Sequence, residues 1–111
     1  MTPIQEFRIT FENGDIGDAR ITDHRPQFSS EIALHTADGN IFPAAKSSPP
    51  VLTAQLAFDA LVSSAMDLAK SRRTEIASLD NPNNCEFIDR ESQRQIASKY
   101  DLTAPILVNG A

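Results

Sequence analysis

The side chains best equipped for chemistry are two histidines, His24 and His35, and a single cysteine, Cys85. If the strands that carry the histidines pair, Asp23, His24 and His35 come near one another, and Cys85 would complete a zinc sphere of ordinary donors. The spacing argues against it. Zinc sites show close pairs such as C-x2-C or H-x3-H, because one turn must offer two ligands to one ion; this chain has neither. The alternative chemistry is a nucleophilic pair, Cys85 with His24 or His35, in which the imidazole activates the thiol and a third group orients the imidazole. Cys85 follows an Asn-rich loop, which favours exposure, but cysteine is also among the most buried residue types. The four glycines, Gly14, Gly17, Gly39 and Gly110, read as turns, a bulge and a terminus, and no Gly-rich phosphate loop is present. The expectation is no catalytic residue, no metal and no cofactor.

Gln93 to Gly110 has the outline of a helix-turn-helix. The turn residue is Asp101 rather than Gly, and the would-be recognition helix holds Pro105 and no basic residue. A major-groove reader needs Arg, Lys, Asn or Gln aimed at bases, so DNA binding through this element is not expected. Arg90 and Arg94, four apart at the start of a helix, repel each other and oppose the dipole; the simplest reading is a tolerated surface pair, the other a faint pull toward an anionic partner.

The acids are more informative. The net charge is −5. Residues 1–45 hold seven acids, Glu6, Glu12, Asp15, Asp18, Asp23, Glu31 and Asp38, against Arg8, Arg20 and Arg25. A surface with that excess attracts a basic partner and disfavours free nucleic acid, whose phosphates need a basic face. The partner-binding residues picked from this set are Glu12, Asp15, Asp18, Asp23, Glu31 and Asp38. The competing reading of the same charge is plain solubility.

These residues need elements to hold them. At 111 residues, with 41% hydrophobic and 23% charged, the chain has the length of one domain, residues 1–111, able to bury about two-thirds of its extended-chain surface. Phe7, Ile9 and Phe11 alternate with Arg8, Thr10 and Glu12, the period of a half-buried strand. Asn13-Gly14 then predicts a type I′ hairpin turn, since both central residues tolerate positive φ. Ile16–Ile21, Glu31–Thr36 and Asn40–Ala44 follow as strands. Asp23–Gln27 breaks the run at Pro26, and Asp38-Gly39 makes the second hairpin. From Val51 the period becomes helical: Val51, Phe58, Val62, Ala65 and Ala69 lie along one side, Ala54, Ala57, Leu61 and Leu68 beside them, with Asp59, Ser63, Asp67 and Lys70 opposite. Ser47 or Ser48 is placed as the cap and Pro49 or Pro50 in the first turn. Cys85–Ile88 is a candidate fifth strand, Asp89 a cap for a second helix to Tyr100, and Ile106–Val108 an edge strand or docked tail.

The fold class is therefore α+β: an antiparallel meander of about four strands on one long amphipathic helix, with a second short helix near the C-terminus. Residues 1–11 carry no apolar leader run and Val51–Ala69 is interrupted by polar residues, so no membrane contact is expected; a lone Cys fits a reducing, cytoplasmic setting. Function on these grounds reads as a small acidic interaction protein that binds a partner with a basic surface. Its sharpest form is an inhibitor of a nucleic-acid-handling or defence protein, of the immunity or phage and plasmid anti-defence type. The alternatives are a small enzyme or ligand-binding domain using His24, His35 and Cys85, and a homodimeric assembly subunit that pairs edge strands.

Overall fold

Alternation of apolar and charged residues builds the sheet. The computed structural model describes the backbone of residues 2–81, 88, 90–100 and 106–108. Its elements are β1 (Thr2–Phe11), β2 (Ile16–Asp23), β3 (Phe28–His35), β4 (Ile41–Ser47), α1 (Ala54–Ser71), β5 (Ile76–Asn81), α2 (Arg90–Lys99) and β6 (Ile106–Val108). The sheet order is β4-β3-β2-β1-β5-β6. The first five pair antiparallel and β6 joins parallel to β5. Phe7, Ile9, Phe11, Ala19, Ile21, Ile32 and Leu34 turn inward and are buried, while Glu6, Arg8, Asp18 and Arg20 stand on the other face. The sheet is thus covered by helix on one side and carries its charge on the other.

The strand that follows α1 is Ile76–Asn81; the candidate strand Cys85–Ile88 falls, but for Ile88, outside the described residues. Ile76 pairs with Phe11 and Leu79 with Ile9, and a register shift lies between Thr10 and Phe11. The extra residue puts two inward-facing side chains three apart, which erases the period-two signal. Residues 82–87, including Cys85, lie outside the described residues, as does Asp89. Ile106–Val108 is a strand paired with Leu79–Asn81, so among the described residues the helix-turn-helix outline has no second helix.

The hairpin after β1 also differs from the type I′ expectation. Asn13 does not take positive φ; Gly14 does, at 95°. The Gly14 N–H donates to the Phe11 carbonyl at 3.1 Å and the Phe11 N–H to the Asp15 carbonyl at 3.0 Å. This is a three-residue loop that ends on a left-handed glycine. The β3–β4 hairpin repeats it: Gly39 has φ 96°, with Gly39 N–H to Thr36 carbonyl at 3.0 Å and Thr36 N–H to Asn40 carbonyl at 2.9 Å.

α1 starts later than the Ser-Pro stretch. The Ser48 hydroxyl is occupied by the Ser30 backbone N–H at 3.0 Å, and Val51 exchanges two 2.7 Å backbone bonds with Phe28. Residues 48–51 thus run as an extended strap along the start of β3. Thr53 is the cap, its hydroxyl accepting from the Leu56 N–H at 3.1 Å. The 18-residue helix spans about 27 Å and buries Ala54, Ala57, Phe58, Leu61, Val62, Ala65, Leu68 and Ala69, the side the helical period marked, without Val51, which belongs to the strap. Phe58 meets Phe7 at 5.1 Å between ring centroids. Each of the large side chains stabilises the fold by about 1.5–3 kcal/mol before entropy. The helix ends in two bonds, Arg73 N–H to Lys70 carbonyl and Thr74 N–H to Ala69 carbonyl. They force Arg73 to φ 54°, a place glycine usually takes.

Asp59 departs from its assignment to the open side of α1. α2 packs there, with Ala97 buried and Ile96 and Tyr100 against the core. Asp59 accepts from Lys99 Nζ and from the Tyr100 hydroxyl. Burial pushes its carboxyl up, but those two donors outweigh it and hold the group below the ordinary aspartate value. Among the described residues, no helix is long and apolar enough to cross a membrane.

Candidate functional site

Strand register decides which charged residues meet. On β1, Glu6 and Arg8 are two apart and so share the outer face; Asp18 and Arg20 on β2 do the same. The pairing sets Arg8 opposite Asp18 and Glu6 opposite Arg20. It sets Arg8 opposite Asp80 on the other side, and Arg20 opposite Glu31. Two rows result, each crossing three strands: Asp80–Arg8–Asp18 and Glu6–Arg20–Glu31. In each, an arginine stands between two carboxylates. Arg8 Nε lies 3.4 Å from Asp18, Arg20 Nε bonds Glu31, and His35 Nε2 reaches Asp18 at 3.1 Å. Arg8 and Arg20 keep 60% and 53% of their side chains in solvent.

Between the rows lies a groove of about 540 Å³. Its floor includes the backbone of Phe7 and Ala19, whose side chains are buried on the opposite face, together with Ala33. The edge strand β4 adds Pro43, within a register shift where Ile32 pairs with Lys46 but Leu34 with Phe42. A bulge carrying a proline blocks further strand pairing along that edge. Ile41 and Phe42 beside it are 61% and 48% exposed.

The six acids picked from the sequence scatter. Asp18 and Glu31 come together in the rows. Glu12 is exposed at the tip of the first hairpin. Asp38 sits in the second, where the Thr36 hydroxyl donates to it and holds its carboxyl below the usual value. Asp23 lies at the other end of the sheet, bonded by the Arg25 side chain at 2.9 Å and its backbone N–H at 2.8 Å; Arg25 lowers its pKa.

Asp15 is a different kind of residue altogether. It is 1% exposed. Its carboxylate accepts from Arg72 Nε at 2.9 Å, Asn13 Nδ2 at 3.0 Å and the Ala37 N–H at 2.9 Å. The Arg72 bond leads in holding its pKa below the ordinary value, against the upward push of burial. One carboxylate thereby joins both hairpin loops to the end of α1. It belongs to the interior and not to a partner surface. Arg72, read from sequence as a dipole-complementing charge, is its counter-ion.

No protein-family model, curated protein or solved structure matches this chain.

The register also tests the histidine chemistry. Ile16 pairs with His35 and Asp23 with Phe28, so His24 and His35 stand at opposite ends of the β2–β3 hairpin, about 20 Å or more apart at strand rise. They share no site. His24 Nε2 instead contacts the Ser29 hydroxyl at 2.7 Å across the loop. Among the described residues, no three His, Cys, Asp or Glu side chains group as metal ligands.

Sequence reasoning missed Glu6, Asp80 and the role of both arginines. The i, i+2 spacings Glu6/Arg8 and Asp18/Arg20 were there to be read as one face. Asp80 was not, because its place depends on the irregular pairing of β5.

Proposed function

We propose that this protein works by binding, without catalysis, a protein partner that presents exposed arginine and lysine to the outer face of the sheet. The observation that carries the reading is the pair of rows. Glu6, Asp18, Glu31 and Asp80 outnumber Arg8 and Arg20 on that face, so a local negative excess coincides with a groove. Such a face steers a basic partner and discriminates against an acidic one. Inhibition of a nucleic-acid-handling protein is one form of this proposal, since a surface built for phosphates is basic. The arginine inside each row departs from a run of phosphates, so the proposal rests on recognition of basic side chains rather than on imitation of a nucleic acid.

The test compares charge reversals at equal net charge, read as affinity for a short arginine-rich peptide at 20 and 200 mM salt. Asp18→Lys with Glu31→Lys should weaken binding at least tenfold. Glu12→Lys with Asp67→Lys, both exposed and outside the rows and the groove lining, should weaken it by less than threefold. Equal losses from the two pairs would show that only global charge matters and would end the reading.

A further inference from the structure

The rows have an order that total charge does not capture. Along the groove, from β5 through β1 and β2 to β3, the carboxylates come from Asp80, Glu6, Asp18 and Glu31. Asp80 and Asp18 belong to one rim, Glu6 and Glu31 to the other. The acids therefore alternate sides at every strand, with a step of about 4.8 Å along the groove and about 7 Å between rims. Facing Glu6 across the groove is Arg8, and facing Asp18 is Arg20, so at β1 and β2 only one rim offers a carboxylate.

An extended polypeptide also alternates its side chains, one to each side at successive residues, with a rise of about 3.3 Å. Three steps of the groove cover about 14 Å and three residues of rise about 10 Å. The mismatch is about 2 Å at each end, which arginine side chains absorb by their length. The floor of backbone and Ala33 lets a main chain lie low between the rims.

Resting on the binding role proposed above, we infer that the occupant is an extended segment of the partner with consecutive basic residues, laid across the strands of the sheet rather than along its edge. The proline-bearing bulge of β4 supports the same choice, because it removes the alternative of strand addition at that edge.

Two peptides of equal charge separate the possibilities. One carries four consecutive arginines; the other carries four arginines alternating with serine, so that all point to one side when extended. Fluorescence anisotropy at low salt should show the consecutive peptide binding at least fivefold tighter. Asp18→Lys, or the milder Glu31→Gln, should shrink that ratio toward one, with circular dichroism confirming the fold of each variant. Equal affinities for the two peptides would overturn the crossing arrangement and leave the broader role standing. If neither peptide binds more tightly than to the variant reversed at Asp18 and Glu31, both fall.

Discussion

The molecule uses the carboxylate–arginine contact in two places with opposite consequences. At one end of the sheet, Asp15 is shut away from water and takes three donors from three separate segments, Arg72 among them. On the outer face, Arg8 meets Asp18 and Arg20 meets Glu31 with more than half of each arginine side chain in solvent. A buried acceptor with a full set of donors holds elements together, because losing it strands the donors. An exposed pair gains little from its partner, since water and salt compete for both members. The same chemistry is structural where it is dry and available where it is wet.

The largest effect that can break this comparison comes from Asp15→Ala. It leaves the Ala37 N–H and the Asn13 amide short of a partner and frees Arg72, which is 39% exposed and can turn to solvent. The expected loss is about 2–3 kcal/mol, with a fall in Tm on the order of 10 °C, measured by urea and thermal unfolding. A loss below about 0.5 kcal/mol would place Asp15 in the same class as the surface pairs.

Acid is the next lever. The Asp15 carboxyl titrates below its ordinary value of 3.8 in the folded protein. A depressed carboxylate stabilises the fold fully above its unfolded pKa, and the contribution disappears as pH falls through the folded one. Stability should therefore hold from neutral pH to about 5 and decline below 4. Asp23, Asp38 and Asp59 are depressed as well, so Asp15→Asn should flatten the decline in part. Urea midpoints between pH 7 and 2.5 for both proteins measure this; superimposable slopes would mean that Asp15 contributes nothing specific.

What could be read in advance follows the same division. The buried side of α1 and the inward positions of β1, β2 and β3 were legible because burial imposes a period on apolar residues. The clamp was not. Asp15 looks in sequence like any loop acid after Asn13-Gly14, and only folding brings Arg72 to it from 57 positions away. Half of each row was visible as i, i+2 spacing on β1 and β2; which acid faces which arginine awaited the register. Asp80 and β5 escaped because the bulge in that pairing interrupts alternation. The misplaced cap of α1 has a related cause: Ser48 serves as an acceptor for β3, so a local signal was claimed by a tertiary partner.

The smallest expected change in stability is also the sharpest test of the outer face. Arg20→Gln removes the cation between Glu6 and Glu31. As an exposed pair it should alter stability by no more than about 0.5 kcal/mol, and less in 1 M salt, where the Debye length is about 3 Å. Its effect on binding should run the other way. Without the guanidinium the outer face loses one positive charge, and affinity for an arginine-rich peptide should rise severalfold at low salt. A structural role for Arg20 predicts falling stability together with falling binding, because a disturbed β2 would distort both rows. Slight destabilisation with tighter binding fits only a face whose charges are held ready for something outside the chain. Measured together in one variant, the two signs decide between the roles.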